Sequence, residues 1–382
     1  MLNIKKQISR LYLSSILGNL SLTGAWVAIL AARGYSLVEI GFAETIFHIT
    51  SLLLEIPSGV LADVFGRKKM LIVSTIMTMV GNIIMIFSSN LFLICASMIF
   101  QAASYNFLSG SGDALAYDSL KMVSREAHYE KYASNQMVIY RLCGGISTLC
   151  AGFALLIGHR AAYSMDLVIC IIQIGILTSL QEISVTPPAE KSRQAFSPES
   201  TAQNGGFRML FHTICREMID CFVTSLSFLK TARRAILLMC CNSLVGAIDI
   251  LLLFFLQAKL PESGMSASLL GFALFFMETG GLLGARIILK CGKLRYRSVF
   301  IIAAMLVLTG VLAEHSGSYL IMTAGGFLAA LGDDALQVRT NTILQDLFPS
   351  QQRATLISIE SFTFSMIMIV LSPLAGVLFS QW

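Results

Sequence analysis

Apolar runs of about 20 residues recur from one end of this chain to the other, and each is long enough to cross a bilayer as an α-helix. Eleven spans are predicted, at residues 9–31, 39–61, 70–89, 91–112, 135–157, 160–181, 233–257, 267–289, 298–313, 317–337 and 355–378. The runs are continuous rather than alternating, which excludes a β-barrel pattern. Only 13% of the 382 residues are charged and the mean hydropathy is +0.75, far from a soluble domain. The expected fold class is therefore an all-α integral membrane protein.

Basic residues orient the spans. With the N-terminus in the cytoplasm, 22 lysines and arginines fall on inner segments. Three (Arg33, Arg160 and Lys259) fall outside, and Arg141 and Arg286 lie within spans or at their edges. This asymmetry predicts a multi-pass cell-membrane protein with an inner N-terminus. The net charge of +5 is thus a topology signal and needs no nucleic-acid partner. Lys5, Lys6 and Arg10 precede the first span with no small-residue cleavage site, so that span reads as a retained helix.

The spans divide into residues 1–182, with six, and 233–382, with five. Between them, residues 183–232 carry a polar stretch around Pro187–Gly206 with a linker composition. An amphipathic pattern from Met209 to Leu229 follows, expected to form a cytoplasmic surface helix. Asp113-Ala-Leu recurs as Asp334-Ala-Leu, and Ala133-Ser134 falls on Ala354-Thr355 at the same offset of 221 residues. That repetition predicts two related bundles.

The segment Gly59-x-Leu61-x-Asp63-x-x-Gly66-Arg67-Lys68 is a short charged turn between spans two and three. It resembles the loop between helices two and three of the major facilitator superfamily. Glu55-Ile-Pro57-Ser58, the stretch Ser109–Leu120, Arg353–Ile359 and Ser372–Gly376 look like a bacterial efflux-type branch of it. The resemblance covers essentially the whole chain and implies two pseudo-symmetric bundles. In that family Asp63 would face the start of span eleven near Thr355, and Arg67 would pair with Asp118. Together with Gly59 and Gly66 they would form a gate biasing an outward-facing state by about 1–3 kcal/mol. The resemblance also implies that spans one, four, seven and ten line a central cavity. Three departures stand out. A twelfth helix is expected to be missing, which leaves the C-terminus outside. Gln101 and Tyr105 occupy the region of the family's fourth-helix arginine. Span five lacks the glycine-proline signature of drug/proton antiporters.

Ionisable residues inside apolar spans are costly and mark candidate sites. Glu44, His48, Ser51 and Glu55 lie at i, i+4, i+7 and i+11, which places them on one helical face. This stripe could carry protons, meet a cation, wall a polar cavity, or serve structure alone. Asn19 in span one, Asp249 in span seven and Glu278 in span eight are further substrate or proton candidates. Arg141 is expected to neutralise Asp113 in an ion pair. Asp333 and Asp334 are placed near an inner helix end, with Arg339 as a partner. The Gly110-Ser-Gly112 pair reads as close helix packing.

Nine cysteines occur without C-x-x-C spacing and read as reduced, small apolar residues. There is no Walker A loop and no H-E-x-x-H, so neither an enzyme, a cofactor nor a metal is expected. The predicted function is a monomeric secondary transporter of the major facilitator type, using protons to export small amphiphilic compounds by alternating access. Uptake of a small metabolite, or a truncated membrane protein that binds or senses without transport, are the alternatives.

Overall fold

The structure is a computed structural model, described over residues 3–183, 216, 233–347 and 353–380. The expected linker helix lies outside the described residues. Every predicted span corresponds to helix: α1 (Ile4–Asn19), α2 (Trp26–Ala32), α3 (Leu37–Phe65), α4 (Arg67–Phe87), α5 (Leu91–Leu108), α6 (Ser111–Lys121), α7 (Tyr129–Leu149), α8 (Ala151–Ile157), α9 (His159–Thr178), α10 (Arg233–Glu262), α11 (Ala267–Lys290), α12 (Tyr296–Glu314), α13 (Tyr319–Leu347) and α14 (Arg353–Ser380). The described residues contain no strand. Among the described residues, eight segments are long and apolar enough to span a membrane, one of them α5 continued by α6, and α7 with α8 makes a ninth span bent by 44°. Large apolar side chains such as Phe87, Phe92, Leu156 and Leu320 stay exposed on the helix exteriors, as a lipid-facing surface requires.

Three spans are not the straight helices the hydropathy predicts. Span one unwinds between Asn19 and Trp26. Span four breaks at Gly110, which adopts φ +71°, and resumes as α6. An added Cβ on Gly110 would meet nothing within 4 Å. Its backbone freedom, not close packing, explains the glycine. Span five bends at Cys150, where α7 gives way to α8.

Contacts between the two halves of the chain run mainly through α3 with α14 and through α7 and α8 with α11. The tight ones are made by glycine. A Cβ on Gly41 would overlap the Ser372 carbonyl, one on Gly376 would meet Leu37, one on Gly152 would overlap the Ala267 carbonyl, and one on Gly271 the Leu149 carbonyl. By the alternation of the spans, all four lie toward the face opposite the N-terminus, so the structure is closed at that face. Gly59, on the other part of α3, is exposed and has nothing within 4 Å of a built Cβ.

Candidate functional site

A cavity of about 570 Å³ lies between the halves. Span one reaches it through its unwound segment. The Asp166 carboxylate, on α9, holds that segment by accepting from Ser21 Oγ (2.8 Å), Leu22 N–H (2.8 Å), Thr23 N–H (3.2 Å) and Thr23 Oγ1 (2.6 Å). Ser147 adds a further hold, accepting from Ser21 N–H and donating to the Asn19 carbonyl. The residues of the unwound segment have no helical partners for these donors, and the buried Asp166 takes the place of the missing helix turn. It frees Ser21, Thr23 and Gly24 to line the cavity.

Glu44, His48, Ser51 and Glu55 all line the same cavity. His48 Nε2 lies 3.2 Å from Glu44 Oε1, and both residues are buried. Ser51 Oγ accepts from Asn106 Nδ2 at 3.0 Å. His48 Nδ1 is buried with no hydrogen-bond partner in the structure, which leaves one polar atom of the wall unsatisfied. The ring of His48 meets Phe364 of α14 edge-on at 5.7 Å, and Trp26 meets Phe254 of α10 in the same way at 5.7 Å. Both ring pairs join the two halves across the cavity. Among the described residues, seven aromatic side chains line the cavity and no lysine or arginine does.

Several expectations need correction. Span ten contributes nothing to this lining, whereas spans two and eleven contribute heavily, because α3 and α14 carry the main contact between the halves. Asn19 does not line the cavity. Its amide donates to the Ser15 carbonyl at 2.8 Å and closes its own helix end. Asp249 and Glu278 lie outside this cavity's lining, so as cation candidates they would act apart from it. Arg141 does not pair with Asp113; its Nη2 lies 3.6 Å from Asp334 Oδ2. Asp113 instead opens the first turn of α6, beside Arg67 and Lys121 in a second cavity of about 530 Å³. The repeated Asp-Ala-Leu thus sits in unlike places: Asp113 follows a helix break, and Asp334 lies mid-helix. Asp333 and Asp334 are not at a helix end, because α13 runs on to Leu347. Arg339 donates to the Cys291 carbonyl at 2.7 Å rather than to either aspartate.

At the charged turn, Gly66 adopts φ +96°, a conformation that favours glycine. Arg67 forms an ion pair with the buried Asp118. Both belong to the first half, so this pair ties α4 to α6 and does not itself cross between the halves. Glu182 caps α4, accepting from Arg67 N–H (3.0 Å) and Lys68 N–H (2.9 Å), where a helix N-terminus favours an anion. Asp63 lies within α3; its side chain and the start of span eleven lie outside the described side chains. Sequence reasoning missed Asp166 and Glu182. Asp166 carried a signal, as a lone carboxylate in an apolar span. Glu182 had none, being an ordinary loop acid until the fold brings it to Gly66.

The helical architecture and central cavity define a polytopic transporter fold. The sequence pattern of the Major Facilitator Superfamily matches residues 11–373, and the chain belongs to that family. Similar solved structures include a mutant form of the nucleoside transporter NupG, with 12% identity, a TM-score of 0.71, and coverage of 98% of this chain and 96% of that one. A D-xylose-proton symporter is similar at 10% identity and TM-score 0.65, covering 96% and 89%. A POT family transporter in complex with a thioalcohol-conjugated peptide is similar at 12% identity and TM-score 0.66, covering 97% and 90%. At these identities the likeness shows the fold. No curated protein matches the chain in sequence.

Proposed function

We propose that this transporter exports small amphiphilic compounds, cationic ones foremost, from the cell and uses the proton gradient to do so. The observation that carries this reading is the chemistry of the cavity wall. Glu44 and Glu55 present carboxylates, His48 presents an unsatisfied nitrogen, aromatic rings supply apolar faces, and among the described residues no lysine or arginine opposes a positive charge. A cation among aromatic rings gains from their quadrupoles, and it neutralises carboxylates that are costly to keep charged at this depth. Asp63 and Arg67 act in this reading at the charged turn as parts of the gate, and the chain works as a monomer in the cell membrane.

Direction and charge preference are tested together in cells. Expression should lower the accumulation of a permanently charged aromatic dye relative to an empty vector. Glu44→Gln with Glu55→Gln should abolish that effect for the cation while retaining it for a neutral amphiphile. Higher accumulation on expression would establish uptake instead. Equal loss for charged and neutral compounds would remove the charge preference.

A further inference from the structure

Apart from the cavity, the middle of the second half holds more negative charge than its surroundings compensate. Asp249 is residue 17 of the 30 in α10, Glu278 residue 12 of the 24 in α11, and Asp334 residue 16 of the 29 in α13. All three therefore sit near mid-span. The carboxylates of Asp333, Asp334 and Glu278 are close enough to act electrostatically on Asp249. Glycines make the room. A Cβ on Gly246, three residues before Asp249, would come within 3.2 Å of Asp333 Oδ1, and one on Gly281, three residues after Glu278, would overlap Asp334 Oδ2.

Two further observations point to a missing ligand. Asp249 is 4% exposed, yet its Oδ1 is buried with no hydrogen-bond partner. A carboxylate oxygen left bare in hydrocarbon is untenable without a cation or a proton. The available countercharge also comes from the other half: Arg141 on α7 lies 3.6 Å from Asp334 and acts on Glu278 as well. One guanidinium cannot neutralise four carboxylates. Three other charged groups near α10 are engaged elsewhere, Arg339 of α13 with the Cys291 carbonyl. Lys259 meets Glu262 and Glu314 of α12 at the far end of the helix, and Glu360 of α14 accepts from Asn242. Arg141 and Glu278 are themselves exposed.

We infer that Asp249, Glu278, Asp333 and Asp334 form a binding site for a small cation, a proton or a sodium ion, which competes with Arg141 for these carboxylates. Filling the site releases Arg141 and loosens the two halves from each other at mid-membrane. Emptying it draws Arg141 back and rejoins them. Cation binding is thereby linked to the rocking that moves cargo, with the cation held apart from the cargo cavity.

The test uses purified full-length protein in detergent without cargo, so it stands whether or not the proposed export holds. Melting temperature is followed in two arms: pH varied in choline chloride, and sodium chloride varied at fixed alkaline pH. One arm should show a saturable response that is absent in Asp249→Asn. The arm that responds identifies the ion. In Arg141→Gln the same ion should bind at least about tenfold more tightly, since its competitor is gone. Glu278→Gln, at an exposed position, weakens binding without removing a buried group and covers the case in which Asp249→Asn does not fold. Silence in both arms, a response unchanged in both carboxylate variants, or weaker binding in Arg141→Gln would overturn the inference.

Discussion

Replacing Asp166 by alanine should destabilise the protein by about 3–5 kcal/mol, since the Leu22 N–H and the Ser21 and Thr23 hydroxyls lose a charged acceptor while Thr23 N–H keeps Ser21 Oγ, and each hydrogen bond to a charged group is worth roughly 1.5–3 kcal/mol. Asp166 is 5% exposed, and the donors it satisfies all belong to the unwound stretch of span one. The apparent melting temperature in detergent should fall by on the order of 5 °C or more. The side chains that Asp166 aims into the cavity should lose their arrangement, so transport falls further than stability alone explains. Asp166→Asn keeps one acceptor oxygen and should show a smaller loss of both. An alanine variant with wild-type melting and transport would mean that span one needs no such anchor.

The second large effect concerns the close approaches at the face opposite the N-terminus. Gly152→Val and Gly271→Val place side chains where the Ala267 and Leu149 carbonyls now lie. These contacts are backbone against helix, so no side-chain rotamer can give way. The variants should exclude the state seen here and leave the protein open at that face. A transporter that must visit both states should then slow by about a hundredfold or more, corresponding to roughly 2.7 kcal/mol against the closed state. Ser372 is 0% exposed in the closed state. A Ser372→Cys substitution in a background without native cysteines should stay unlabelled by a polar maleimide, and should label readily once Gly152→Val is added. Equal labelling with and without that valine would contradict an opening and closing interface at these glycines.

Much of this organisation is legible in residue order, and the parts that are not have physical reasons. Hydropathy marks most spans because the bilayer demands about 20 apolar residues whatever the helix packs against. The i, i+4, i+7 and i+11 spacing of Glu44, His48, Ser51 and Glu55 puts them on one face, since a single long helix carries all four. Contacts between distant elements are different. Hydropathy could not show that span one unwinds, because Leu20 and Leu22 keep the run apolar, and the carboxylate that stabilises the break lies more than 140 residues away. Arg141 was expected on Asp113 and meets the repeat-related Asp334 instead. Charge counting finds that a partner is needed but not which half supplies it. Gly110 and Gly112 looked like packing glycines, whereas only the backbone angle of Gly110 reveals a break.

The central claim is that the cavity holding Glu44, His48 and Glu55 carries cargo across the membrane in exchange for protons. Its most direct measurement is flux of a permanently charged aromatic cation, which acid trapping cannot mimic, into proteoliposomes with an acidic lumen. The account predicts concentrative uptake well above protein-free liposomes, abolished by a protonophore and by the combined Glu44→Gln and Glu55→Gln substitutions. Flux equal to that of protein-free liposomes, or flux indifferent to both the pH gradient and the two glutamates, would contradict it.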